Sequence, residues 1–280
     1  MLQNALSAFV NETESKIPFS AKRQTEAGTP SLWKESIATE RGEQQSYVRL
    51  RSPADEGGAP IGIWHAPADE LAIKELAKAL QSSPFFTLQN DAVEPGEEYT
   101  VWTFKIGDAE QSLCAVAGSA VLREMSPLDL LFRRLANRLV QSKQGVALLC
   151  ELDLNSGQPS LLNEGSQAGI IINSFYDKMT ETDFFRVEVG PAVQEIPGVT
   201  GIGIEYKPIP MSLPSFFKAP FDQQYIRVQP GERLKLPVQL SLDHYKGHYV
   251  RAVYSNYSDA PQSLDYPIVR GRVFSIESKI

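Results

Sequence analysis

From residue 146 onward the chain is built of eight short apolar runs: VALLCEL, AGIIINSF, DFFRVEV, GIGIEYKP, QQYIRV, RLKLPVQL, GHYVRAVYS and RGRVFSI. Gly, Pro, Asn and Asp separate them. Helical periodicity is absent here, and runs this short with turn residues between them read as the strands of a sandwich. The connections are too short for helical crossovers, so antiparallel pairing is expected. Residues 145–280 are therefore expected to form an all-β antiparallel domain.

The chain before residue 145 has a different grammar. Residues 1–44 are polar and loosely patterned, with an EAGTPS stretch at 26–31, and read as an amino-terminal arm or covering layer. QQSYVRLRS and IGIWHA read as strands flanking the turn-rich SPADEGGAP. In PADELAIKELAKAL, Ile73, Leu76, Ala77 and Leu80 fall on one helical face. Asp69 and Glu70 suit the positive end of that helix, and Pro84 helps to stop it. Strands follow at 97–105 and 112–116, joined through the IGD turn. Ser126-Pro127 opens a second helix with an apolar stripe of Leu128, Leu131, Phe132, Leu135 and Leu139, ended by Gly145. The expected arrangement over 45–144 is a small α+β module.

Two stretches resemble known families. Pro230-Gly231-Glu232, Gly247-His248-Tyr249 and Gly271-Arg272-Val273-Phe274-Ser275 resemble the closing strands of bacterial immunoglobulin-like or fibronectin-like domains. That resemblance implies an Ig-like β-sandwich and no particular activity. The helix running into PFFTL, the YTVWTFKIGD strand and the SPLDLLFRRL helix are similar in layout to small bacterial inhibitors of thermolysin-like metallopeptidases. This second resemblance implies a metallopeptidase as partner, with no inhibitory residue mapped.

Charge and inventory narrow the function classes. A formal net charge of −7 disfavours nucleic acid and anionic membrane as partners. No stretch has the length of a membrane-spanning helix, and MLQNALSAFVNETES lacks the pattern of a secretory signal, so a cytoplasmic protein without membrane insertion is expected. Cys114 and Cys150 lie in apolar runs and read as buried thiols. His65, His244 and His248 are the whole histidine supply, and HExxH and CxxC are absent, so no metal site and no cofactor are expected. His244, His248 and Asp243 are weighed as ligands and read instead as loop residues. GxSxG is missing, and the glycines of GVTGIGIEY precede no helix, so no catalytic residue is assigned.

The segment KPIPMSLPSFFKAPFDQQ at 207–224 crowds four prolines, three phenylalanines and one methionine between strands. Proline lowers the ordering cost of a binding loop, and aromatic and Met side chains are favoured at interface centres. Met211, Phe216, Phe217 and Phe221 are thus candidate binding residues, with packing against the domain as the competing account. Trp64 and His65 are candidates of the same kind. Tyr245, Tyr249, Tyr254 and Tyr257 offer a sugar-binding platform as an alternative. The expected function is a non-catalytic protein-binding protein, such as a peptidase inhibitor or accessory factor, with carbohydrate binding or an unrecognised hydrolase site as alternatives.

Overall fold

The computed structural model describes residues 2–11, 17–27, 33–50, 58–173, 176, 185–190, 206–211, 217–238, 240–256, 267–269 and 271–280. They form a mixed α+β protein of mostly antiparallel sheet. The chain divides into two compact units: Met1–Arg49 with Trp64–Gln144, and Leu50–Ile63 with Gly145–Ile280.

The first unit contains α1 (Leu2–Asn11), β1 (Phe19–Ala27), β2 (Trp33–Glu40), β3 (Gln44–Arg49), most of β4 (Ile61–Pro67), α2 (Glu70–Ser82), β5 (Glu98–Ile106), β6 (Ala109–Val116), α3 (Ala120–Glu124) and α4 (Ser126–Ser142). Its strands run in the order β4-β3-β2-β1-β5-β6. The expectation of an amino-terminal arm is corrected here. β1 is paired along its length with β2 on one side and β5 on the other, which makes it an interior strand. Its alternation places Phe19, Ala21, Arg23 and Thr25 inward, and the two polar members of that set disguise it as surface sequence. Leu2, Leu6 and Phe9 repeat at helical spacing on α1 and are buried, with Phe9 stacked on Phe19 at 5.0 Å between centroids.

On α2, Ile73, Leu76, Ala77 and Leu80 are buried together with Ala72, and Asp69 caps the helix by accepting from the Leu71 amide at 3.0 Å. On α4, Leu128, Phe132, Leu135 and Leu139 are buried, and so is Asp129. The helix stops at Ser142 because Lys143 adopts the left-handed conformation at φ 54°, two residues before the glycine expected to end it. Gly107 takes positive φ at the first central position of the two-residue loop joining β5 to β6, the backbone a primed hairpin turn requires.

The second unit holds β7 (Gly145–Asp153), β8 (Gln158–Asn163), β9 (Gly169–Ile172), β10 (Phe185–Val189), β11 (Lys207–Pro208), β12 (Tyr225–Val228), β13 (Arg233–Lys235), β14 (Tyr249–Asn256), β15 (Gly271–Phe274) and β16 (Ser278–Lys279). Within it β13-β8-β7 form one set, β11-β10-β14-β15 a second with β16 also on β14, and β12-β9 a third. β14 and β15 pack on β7. Val146, Leu148, Phe185, Val187, Ile226, Val250, Ala252 and Tyr254 meet in one core. Gly271 is obligatory: a β-carbon there would stand 1.8 Å from the Leu50 carbonyl oxygen, which the Arg272 amide reaches at 2.7 Å. No helix among the described residues is long and apolar enough to cross a membrane.

Candidate functional site

Of the aromatic and Met candidates, Trp64 and Phe221 go into the interior. Trp64 is 0% exposed, stacked on Tyr47 with ring centroids 5.4 Å apart, so it is a core residue of the first unit and not a contact surface. His65 is half-buried, and its amide donates to the Gln144 carbonyl at 3.0 Å. In the 207–224 segment, Phe221 is 5% exposed and belongs to the core of the second unit, which removes it as a surface residue as well. Met211 and Phe217 are half-buried against the same core, and Phe216 lies outside the described residues. The buried amide of Asn173 ties the segment down, donating to the carbonyls of Phe221 at 2.8 Å and Gln223 at 2.7 Å. Among the described residues of this stretch only Lys207–Pro208 is strand, and burial of the Phe221 ring contributes to holding the rest in place.

The other expectations fall as follows. Tyr254 is 0% exposed, Tyr245 and Tyr249 are half-buried, and Tyr257 is outside the described residues. His244 is exposed, while His248 places Nδ1 3.0 Å from the Gly190 carbonyl oxygen. Among the described residues no three His, Cys, Asp or Glu side chains are grouped to hold a metal ion. Cys114 and Cys150 are free thiols. Burial pushes the Cys114 thiol up, and the nearby Asp91 and Glu26 charges push it further, the opposite of an activated nucleophile.

Two polar clusters are well built. In the first unit, Arg23 (4% exposed) donates from Nε to Asp129 and from Nη1 to Glu35 Oε1 at 2.5 Å. Tyr47 donates its hydroxyl hydrogen to Glu35 Oε2 at 2.8 Å and accepts from Arg49 Nε at 2.9 Å, while Arg133 Nε reaches Asp129 at 2.7 Å. Burial alone would raise the Glu35 carboxyl, but the Arg23 charge and the Tyr47 and Arg23 hydrogen bonds outweigh it and hold it below the usual range. In the second unit, Glu151, Asp153, Ser156, Gln158, Ser160, Arg233 and Lys235 line an open polar cleft of about 360 Å³. Arg233 grips Glu151 there through Nε at 2.7 Å and Nη2 at 3.1 Å. The Arg23 cluster and the Glu151–Arg233 pair meet their charges with internal partners.

Among the described residues, the outer edge of β6, the last strand in the order of the first unit, has unspent bonding capacity. Its ladder with β5 pairs Val101 with Cys114, Thr103 with Ser112 and Lys105 with Glu110. The Cys114 amide points away from β5, because it donates to Asn90 Oδ1 at 2.7 Å. The Val116 amide does the same to Asp91 Oδ2 at 2.9 Å, and the Asp91 amide donates to the Cys114 carbonyl at 3.0 Å. Residues 90 and 91 therefore act as a short surrogate strand on the carboxy-terminal half of the edge. By the two-residue period of the ladder, Ser112 and Glu110 turn the same groups outward. Among the described residues those outward amides and carbonyls make no hydrogen bond, and both residues are exposed. Beside this edge, the solvent-side face of β5 and β6 carries half-buried Tyr99, Val101, Cys114 and Val116 as neighbouring pairs.

The strands here and the IGD turn between them are legible in the sequence, whereas most of the residues expected to bind lie in the proline-rich segment. The hairpin turn was the available signal for the β5–β6 pairing; the capping by Asn90 and Asp91 is a tertiary fact. Compared with known proteins, the chain matches no family model, no curated protein and no solved structure.

Proposed function

We propose that this is a non-catalytic protein-binding protein that recognises an extended segment of a partner at the free edge of β6. The observation that carries the reading is the outward backbone of Glu110 and Ser112, unpaired among the described residues, next to a stretch of the same edge already engaged by residues 90 and 91. Each open residue offers one donor and one acceptor, the groups that an added strand uses for affinity. On the core-side parity of the same edge, buried Leu113 and half-buried Ala109 and Gln111 supply apolar surface for alternate side chains of that strand. An inhibitor or accessory factor for an enzyme would fit this mode of binding. In the same reading, the second unit is an immunoglobulin-like sandwich that serves as scaffold.

The test is selection of extended peptides from a displayed library against the full chain, followed by solution titration of the winners. Binding should be abolished by Ser112→Pro, which removes the outward donor and sets a ring in the path of an added strand. Absence of any peptide that binds in solution, or binding unchanged by Ser112→Pro with the melting temperature preserved, overturns the reading.

A further inference from the structure

We infer that the segment taken by the β6 edge is basic, with Lys or Arg alternating with apolar residues; this rests on the edge-recognition reading above. The argument is charge complementarity along the run that frames the edge. Between residues 91 and 110 stand Asp91, Glu94, Glu97, Glu98, Asp108 and Glu110, against Lys105 alone. This run is in contact with the edge at both ends. Asp91 caps β6 at Cys114 and Val116, the Glu98 carbonyl accepts from the Ala117 amide at 2.7 Å, and Asp108 sits in the turn that leads into β6. Glu94, Asp108 and Glu110 are exposed, and Asp108 and Glu110 stand at the edge itself. Lys105 lies opposite Glu110 in the ladder and offsets one carboxylate.

Geometry sets the order of residues in the partner. An added strand is stopped beside Ser112 by Asn90 and runs from there toward the turn at Gly107 and Asp108. Side chains of successive residues then fall alternately beside Glu110 and Ser112 on the solvent face and beside Ala109, Gln111 and Leu113 on the core face. Leu113 is buried and Ala109 and Gln111 are half-buried, which favours apolar residues at that parity. The other parity meets the carboxylate of Glu110 with that of Asp108 next along, which favours cations. An acidic strand would place like charges side by side, an arrangement that opposes pairing. A second copy of β6 would bring its own Glu110 into the same acidic field, which disfavours it as the occupant.

The experiment titrates three fluorescein-labelled decapeptides of alternating valine and a variable residue (Lys, Gln or Glu) against the full chain by fluorescence anisotropy. The Lys peptide should bind at least about tenfold more tightly than the Glu peptide at low salt, and the gap should shrink as salt screens it. Asp108→Lys with Glu110→Lys should reverse the order. Binding of the Lys peptide should vanish in Ser112→Pro, and on the protein left unaltered it should vanish when alternate amides of the peptide are N-methylated. Equal affinity for all three peptides, with loss on N-methylation, overturns the charge inference and leaves edge recognition standing. Lys-peptide binding that survives both Ser112→Pro and N-methylation overturns edge recognition as well. No binding by any of the three peptides overturns the inference, while a library-selected ligand of other composition would keep edge recognition alone. Dimerisation in sedimentation that Ser112→Pro abolishes assigns the edge to a second copy and likewise overturns it.

Discussion

Arg23 on β1 and Glu35 on β2 meet at 2.5 Å on the buried side of the first unit's sheet, with Arg23 4% exposed and Glu35 28%. A second carboxylate, Asp129 on α4, closes on the same guanidinium. Replacing Arg23 with Met keeps the volume and strands two largely buried carboxylates. The expected cost is about 3–5 kcal/mol, read as a lower urea midpoint at neutral pH. A loss below about 1 kcal/mol would mean that the network is solvated and of little structural consequence.

The same pair makes stability depend on acid. Glu35 titrates below its ordinary value of 4.5 in the folded protein, so the folded state holds its charged form more tightly than the unfolded chain does. Its contribution is complete above that ordinary value and is lost as pH falls through the lower folded value. Urea midpoints should therefore decline as pH falls below that ordinary value, and Glu35→Gln should flatten that decline. An identical slope in the variant would remove Glu35 as a source.

Asn163, at the end of β8, is 0% exposed and uses its whole amide. Oδ1 accepts from Ala147 at 3.2 Å and Gly165 at 3.0 Å, and Nδ2 donates to Gln167 at 2.8 Å and Val228 at 3.1 Å. Asn163→Leu should cost roughly 3 kcal/mol or more, because several buried backbone groups lose their partner at once. Asn163→Asp retains the acceptor and loses the two donated bonds, so it should stay destabilised at neutral pH. Calorimetric melting of both variants checks this, and a change within the error of the measurement would contradict the account.

Phe221 and Phe217 differ in depth, and their truncations should differ in proportion. Phe221→Ala empties a site that is 5% exposed and should cost about 3–5 kcal/mol. Phe217→Ala removes a half-buried ring against the same core and should cost roughly half as much. Equal and small losses would place both rings at the surface.

Much of the local structure was legible in the chain itself. Ile73, Leu76, Ala77 and Leu80 recur at the helical period because one face of α2 must be apolar to be buried. Turn residues between short apolar runs mark several of the strands after residue 146, whereas β8, with its proline and two polar ends, and the two-residue β16 carry no such signal, and 201–205 of GIGIEYKP lie outside the described residues. β1 was hidden for a physical reason. Its inward set includes Arg23 and Thr25, which become core residues only because Asp129, Glu35 and Thr100 arrive from other elements to satisfy them.

What sequence determined by itself, then, was periodicity and turn chemistry, since these depend on neighbours three or four residues away along a helix or two along a strand. Tertiary structure alone decided which polar groups could be buried and which strand was left last in its sheet. The rings of 207–224 illustrate the first kind of decision, because whether Phe221 meets water or the core depends on Asn173 and the strands around it. The edge of β6 illustrates the second. Nothing in AEQSLCAV distinguishes an edge strand from an interior one, and its open backbone exists because Asn90 and Asp91 cover Cys114 and Val116 and stop short of Ser112.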